Sequence, residues 1–207
     1  MVVMRIDQPL EWSSEWPGLD GVRGPQPPLQ TLQELCHDWH GKALQVPAQF
    51  GLVEDPGHLW LVAARDQAAA PHPKAGAGDF QAGLWRHDVA ELFVAEASGE
   101  RYLEFNLSPT GAWWLEHFRA PRQASPLEVL PQVLTHGSPP GRPAWSAALG
   151  IPLDWLREII GWDADSRLNV CLILDSPGQH FLSACDLGEG EPDFHRPWNF
   201  EKVLREA

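Results

Sequence analysis

The sequence has little of what marks disulfide-rich, secreted or membrane-spanning proteins. Its three cysteines, Cys36, Cys171 and Cys185, are an odd number without a CxxC spacing, which is typical of a reducing compartment. No stretch approaches the roughly eighteen apolar residues of a membrane span, and the N-terminus lacks the apolar core of a signal peptide. We therefore expect a cytoplasmic protein.

Basic residues are also scarce. Fifteen Lys and Arg against 28 Asp and Glu give a formal net charge of −13, and the sequence contains no basic run. Such a charge repels phosphate backbones and anionic lipid surfaces, which argues against nucleic acid and membranes as partners. A neutral ligand remains compatible with it.

Tryptophan, proline and glycine are abundant instead. The chain has eleven Trp but one Tyr, and its 20 Pro and 18 Gly favour many short elements joined by turns, as in β-proteins. A length of 207 residues suits one sizeable core, so we expect a single domain over residues 1–207. Residues 1–28 hold a Pro/Gly-rich run without a sustained period and are expected to form an extended N-terminal arm.

The stretch 83–118 predicts a three-stranded antiparallel meander with strands over 88–95, 102–108 and 112–118. Ser98-Gly99 marks the first turn. Ser108-Pro109-Thr110-Gly111 marks the second, with Pro and Gly where a type I turn prefers them.

Outside the meander, alternation and turn residues predict further short strands. Helical spacing of apolar residues predicts short helices over 29–39 and 152–160. Pro47 predicts an edge or a bulge in a strand over 43–52, and an apolar run over 58–64 predicts a central strand. The other predicted strands cover 127–135, 145–151, 168–174 and the region of Phe181 and Leu182. The fold class is therefore all-β, an antiparallel β-sandwich of jelly-roll or immunoglobulin-like type with one or two short helices.

The meander carries the candidate site. Along its middle strand Tyr102, Glu104 and Asn106 share one face and apolar residues the other, while Glu91 on the first strand is a carboxylate among apolar neighbours. Cross-strand neighbours approach to within about 5 Å, so the two acids and the amide could form one patch. A solvated face, or ion pairs with nearby arginines, would explain the acids equally well.

An aromatic platform next to such a patch would suit a sugar. Trp85 follows a Gly-containing loop and precedes a charged segment, which indicates an exposed position at a strand entrance. Pyranose C–H faces stack on indole rings while their hydroxyls meet carboxylate and amide groups. Trp113 or Trp114 could add a further aromatic surface.

Five segments in order, LWRHDVAELFV, YLEFNLSPTGAWW, IPLDWL, RLNVCLI and DFHRPWNF, resemble the bacterial DOMON-like domains related to family 9 carbohydrate-binding modules. The resemblance implies a β-sandwich in which Trp85 is a stacking platform and Glu91 accepts a sugar hydroxyl. It further implies Trp198 as a second platform, Asn169 as an additional polar contact, and a structural calcium ion as a possibility. Modules of this type are usually exported and attached to a glycanase, whereas this sequence shows neither feature.

The sequence leaves alternatives to a non-catalytic sugar-binding domain. Glu91 and Glu104 are the one pair of carboxylates that would fit a glycoside hydrolase. A haem-binding domain would need Met and His ligands, and the two methionines, Met1 and Met4, both lie at the N-terminus. An aromatic surface that docks another protein is the third alternative.

Overall fold

Two β-sheets pack face to face in the computed structural model of the protein, which describes residues 1–10 and 32–206. The strands are β1 (Val2–Arg5), β2 (Gln33–His37), β3 (Ala43–Glu54), β4 (His58–Arg65), β5 (Val89–Ala95), β6 (Tyr102–Leu107), β7 (Trp113–Ala120), β8 (Gln123–Ala124), β9 (Leu134–Gly137), β10 (Trp145–Pro152), β11 (Arg167–Leu174), β12 (His180–Ser183), β13 (Glu201–Lys202) and β14 (Leu204–Glu206). The single α-helix of the described residues, α1, spans Leu153–Ile160. Single 3-10 turns form at Leu84–Arg86 and Pro197–Asn199.

The first sheet has the strand order β14-β1-β3-β4-β10-β9, with β2 paired to β3. The second has the order β12-β11-β5-β6-β7-β8, with β13 paired to β11. All pairings are antiparallel except those of β1 with β14 and β3. The predicted all-β sandwich with a short helix is therefore confirmed.

The core lies between the sheets and follows from the alternation of the strands. Leu92, Leu103 and Phe105 alternate with the polar residues of β5 and β6, are fully buried, and belong to one cluster with Leu59 and Leu61 of the first sheet. Burial of such side chains stabilises the fold by about 1.5–3 kcal/mol each. These side chains project from the face of the second sheet that packs against the first sheet. The other face of the second sheet, called the outer face below, carries the alternating polar residues.

The meander forms as the alternation predicted, with β5, β6 and β7 within two residues of the expected bounds. The Gly111 N–H donates to the Ser108 carbonyl at 2.9 Å and closes the second turn. Gly111 has a φ of +86°, a conformation that glycine adopts without the steric cost of a side chain. The helix α1 and the central position of β4 also agree with the predictions.

Two local predictions were wrong. The helix over 29–39 is instead the strand β2 from Gln33 to His37, because pairing with β3 satisfies its backbone, which outweighs a helical spacing of apolar residues. The strand over 127–135 is reduced to β9 at its far end, Leu134–Gly137, which pairs with β10. Pro47 lies opposite the register shift between β2 and β3, as its missing N–H predicts.

The N-terminal residues are partly described. Val2–Arg5 form β1 inside the first sheet, and Val3 is fully buried. The rest of the predicted arm, residues 11–28, lies outside the described residues, as do Trp12 and Trp16. None of the helices formed by the described residues has the length and apolar character needed to cross a membrane.

Candidate functional site

The strand register gathers the predicted polar residues on the outer face of the second sheet. Glu91 of β5 lies opposite Asn106 of β6, which lies opposite Trp114 of β7. In the next row Glu104 of β6 lies opposite Glu116 of β7. Because directly opposed residues of an antiparallel pair project from the same face, the meander presents three carboxylates, an amide and an indole together.

A cavity of about 510 Å³ opens over this face. That volume is in the range of small-molecule sites. Part of its wall comes from the sheet, from Trp85 and from Arg122, and part from residues 192–195, which cross the outer face. The lining residues are Trp85, Glu91, Glu104, Trp114, Glu116, Phe118, Arg122, Ala124, Ile173, Phe181, Pro192, Asp193, Phe194 and His195.

Aromatic contacts hold residues 192–195 against the sheet. The Phe194 ring lies 6.4 Å from the Phe93 ring, 6.1 Å from the Phe181 ring and 6.0 Å from the Trp39 ring. The Arg122 guanidinium donates to the Asp193 carboxylate at 2.7 Å and links this segment to the chain just before β8. One wall of the cavity is therefore built from residues far apart in the sequence.

Trp85 lines the cavity and is 40% exposed. It belongs to the 3-10 turn that follows Gly83, whose φ of +84° redirects the chain. The neighbouring Leu84 is buried, and the Gln179 side-chain amide donates to the Trp85 carbonyl at 3.1 Å. The backbone of Trp85 is thus fixed while its ring remains accessible.

Glu91 and Glu104 are buried acids that line the cavity, with 3% and 8% of their surface exposed. Burial raises the pKa of Glu91 well above its ordinary value, and the charge of Glu104 raises it further. Burial also raises the pKa of Glu104, to about 7, although a hydrogen bond from Asn106 opposes the shift. Within the described part of the chain no Lys or Arg forms an ion pair with either carboxyl group.

Asn106 positions one of these acids. Its Nδ2 donates to Glu104 Oε1 at 2.8 Å, while its Oδ1 is buried without a hydrogen-bond partner. Asn106 is fully buried and does not line the cavity. The sequence correctly placed it beside the two acids, and the structure places it beneath Glu104.

Tyr102 is also buried below the cavity wall. Its ring stacks on Phe118 with 4.7 Å between centroids, and its hydroxyl oxygen lies 2.8 Å from His195 Nδ1. Burial raises the pKa of Tyr102 to about 12 and lowers the pKa of His195 to about 4. Neutral forms of both side chains are therefore favoured at neutral pH.

Two predicted site residues lie elsewhere. Asn169 is fully buried, and its amide is hydrogen-bonded to Ser183 and to the backbone N–H of Cys185. Trp198 is 61% exposed on the 3-10 turn Pro197–Asn199 and does not line the cavity. A ligand contact by either residue stays a prediction.

The sequence reasoning missed several residues of the cavity wall. His195 and Phe194 stand in the DFHRPWNF segment, where the adjacent aromatic and imidazole side chains were the available signal. Arg122 and Glu116 carried no pattern that distinguishes them from surface charges. Phe80 stacks on Trp114 at 4.4 Å between centroids and extends the aromatic surface at the cavity.

The described residues contain no group of three or more His, Cys, Asp or Glu placed to hold a metal ion. Met4 lies on β1 of the first sheet, with Met1 just before it, whereas the cavity lies on the second sheet. The chemistry that the cavity does offer is aromatic surface, carboxyl groups and an imidazole.

The fold and the cavity define a β-sandwich protein with a small-molecule-sized cleft on the outer face of one sheet. No protein-family model matches the sequence, and no curated protein matches it at a significant level.

Solved structures match the fold over most of the chain. A candidate carbohydrate-binding protein from Bacteroides uniformis is 22% identical with a TM-score of 0.64, over 84% of this chain and 86% of that one. A family 9 carbohydrate-binding module from Caldicellulosiruptor kristjanssonii in complex with glucose is 12% identical with a TM-score of 0.56, over 99% of this chain and 96% of that one. A structure of such a module from the same organism with cellotriose is 10% identical with a TM-score of 0.56, over 99% and 94% of the two chains. The protein therefore has a fold similar to that of family 9 carbohydrate-binding modules.

Proposed function

We propose that this protein is a non-catalytic saccharide-binding domain, one of the DOMON-like relatives of family 9 modules, and that the outer-face cavity is its binding site. The observation that carries the proposal is that the exposed Trp85 indole lines the same cavity as two buried carboxyl groups without Lys or Arg partners. Buried acids without an ion-pair partner are costly to the fold, and a ligand that hydrogen-bonds to their remaining acceptor sites offsets this cost.

Each side chain has a distinct part in the proposed complex. Trp85 stacks against the C–H face of a pyranose ring and supplies apolar contact. Burial favours the protonated form of Glu91, and a protonated carboxyl group can both donate to and accept from sugar hydroxyls. Asn106 orients the Glu104 carboxyl through their 2.8 Å hydrogen bond, and Tyr102 acts through His195.

The similar solved structures support this proposal at the level of ligand class. The two family 9 modules were solved with glucose and with cellotriose, and both share the fold over nearly the whole chain. We expect weak to moderate affinity, because one exposed aromatic ring and a few exchangeable hydrogen bonds contribute only a few kcal/mol net.

The test is calorimetry with the sugar that binds most tightly in a panel that includes glucose and cellotriose. Trp85→Ala should weaken binding at least about tenfold, since loss of a stacked apolar side chain costs ~1.5–3 kcal/mol. Leu204→Ala is the control, because it removes an exposed apolar side chain on β14 of the first sheet, whereas Trp198→Ala tests the predicted second platform. Unchanged affinity in Trp85→Ala would exclude the platform, and a loss confined to Trp198→Ala would move the site to the Pro197–Asn199 turn.

Glycoside hydrolysis is a second candidate, favoured by the raised pKa values of Glu91 and Glu104 in one cavity. The two acids are diagonal cross-strand neighbours, which sets their Cα atoms about 7–8 Å apart. Release of reducing sugar from a glycan panel, abolished by Glu104→Gln, would establish this activity, whereas binding without turnover would exclude it.

A further inference from the structure

A short hydrogen-bonded chain beneath the cavity fixes the position of the proton on His195. The backbone N–H of Arg122 donates to the Tyr102 hydroxyl oxygen at 3.1 Å, and the same oxygen lies 2.8 Å from His195 Nδ1. A backbone amide can only donate, so the hydroxyl accepts from Arg122, and because Tyr102 is fully buried its own proton needs an acceptor. Among the described residues Nδ1 of His195 is its one acceptor.

This arrangement favours Nδ1 as the unprotonated nitrogen of the imidazole. Burial lowers the pKa of His195, which favours the neutral ring, and a neutral ring that accepts at Nδ1 has its proton on Nε2. The imidazole is held in place by edge contacts with Phe93 and Phe118, with centroid distances of 5.8 and 5.0 Å. Its N–H direction is thus set by packing as well as by hydrogen bonding.

His195 and Glu104 both line the cavity, and Nε2 of the imidazole lies near a carboxyl oxygen. His195 Nε2 lies 3.8 Å from Glu104 Oε2, a separation too long for a direct hydrogen bond. The other carboxyl oxygen, Oε1, accepts from Asn106, so Oε2 is the oxygen left to a ligand. A fixed donor and a fixed acceptor therefore stand side by side in the wall of the cavity.

We infer that His195 and Glu104 together bind one hydroxyl group of the ligand, with Nε2–H donating to its oxygen and the Glu104 carboxyl accepting its proton. This inference rests on the proposed saccharide-binding function and names the group recognised at one point of the site. A hydroxyl both donates and accepts, whereas an ether oxygen lacks the proton and an ammonium group lacks the acceptor. Tyr102 is a positioning residue that acts through the His195 tautomer.

The hydrogen-bond direction is tested without any ligand by ¹⁵N NMR of the imidazole nitrogens in the full chain. We expect a pyridine-like Nδ1 and a pyrrole-like Nε2 for His195 between pH 6 and 8. Tyr102→Phe should shift both resonances towards the average of the two tautomers, because the donor to Nδ1 is gone. A protonated Nδ1 in the parent protein, or resonances unchanged in Tyr102→Phe, would overturn the assignment.

The hydroxyl is tested by calorimetry at pH 8 with the best-binding sugar and its single deoxy derivatives. In the parent, one deoxy derivative should bind about tenfold more weakly than the complete sugar, and in His195→Phe this difference should largely disappear. His195→Gln, which can place an amide N–H near the position of Nε2, should retain most of the discrimination and keeps the test valid if the Phe variant fails to fold. Equal discrimination in the parent and the Phe variant would overturn the inference.

The two experiments also separate failure of this inference from failure of the proposed function. If no sugar of the panel binds the parent, the proposed function and the hydroxyl assignment both fail, while the NMR result still decides the tautomer.

Discussion

Replacement of Glu104 by glutamine should stabilise the protein at alkaline pH. The Glu104 carboxyl is 8% exposed, and its pKa is raised from an ordinary value of 4.5 to about 7, chiefly by burial. Glutamine has nearly the same shape, and its carbonyl oxygen can still accept the hydrogen bond that Asn106 Nδ2 donates at 2.8 Å. The substitution removes the ionisation and retains the packing.

The size and sign of the effect follow from proton linkage. Between pH 4.5 and about 7 the folded protein binds a proton at Glu104 that the unfolded chain has lost, so the free energy of unfolding falls as pH rises through this window. Each pKa unit corresponds to ~1.36 kcal/mol, so the full shift amounts to about 3 kcal/mol. Glu104→Gln should therefore be more stable than the parent by about 2–3 kcal/mol above pH 8, and of similar stability near pH 4.

Urea unfolding followed by tryptophan fluorescence at several pH values from 4 to 8.5 measures this difference. Glu158→Gln on α1 is the control, because it makes the same chemical change at an exposed side chain. If the stability difference of Glu104→Gln did not grow with pH relative to that of the control, or if the variant were less stable than the parent at pH 8.5, the reasoning that burial of this acid is costly would be refuted.

Two further stability predictions concern the first sheet and the loops that join the sheets. Asp55 accepts hydrogen bonds from the backbone N–H groups of three residues and from the Trp60 indole, which together hold its pKa below its ordinary value against the effect of burial. Asp55→Asn should therefore cost about 2–4 kcal/mol at pH 7 by urea unfolding. The cost should shrink as pH falls below about 3.8, because the unfolded parent chain then takes up a proton at Asp55 more readily than the folded one, and an equal cost at pH 3 and 7 would contradict this. Gly137→Ala should lower the melting temperature sharply in differential scanning calorimetry, because its methyl group would overlap the backbone of Thr110, whereas Gly57→Ala meets only ordinary contacts and should change it little. Similar melting temperatures for the two alanine variants would show that the 110–137 contact is not tight.

The sequence by itself determined the meander and part of the site. Period-two alternation fixed which residues of β6 face the core, and turn residues fixed where the strands reverse. Since register and turn geometry are local, the sequence could predict one patch of Glu91, Glu104 and Asn106, and the structure adds that Glu91 pairs with Asn106. The exposed position of Trp85 followed from the glycine that precedes its turn.

Only the tertiary structure decided how the cavity is closed and where β2 belongs. His195 meets Tyr102 across 93 residues of sequence, and the Arg122 side chain meets Asp193 across 71, and no local pattern encodes contacts of that range. Strand β2 has the apolar spacing of a helix and becomes a strand because the edge of β3 offers its backbone hydrogen-bond partners. Alternation and turns depend on neighbouring residues and can be read from the sequence, whereas the raised pKa values of Glu91 and Glu104 depend on what the fold packs around them.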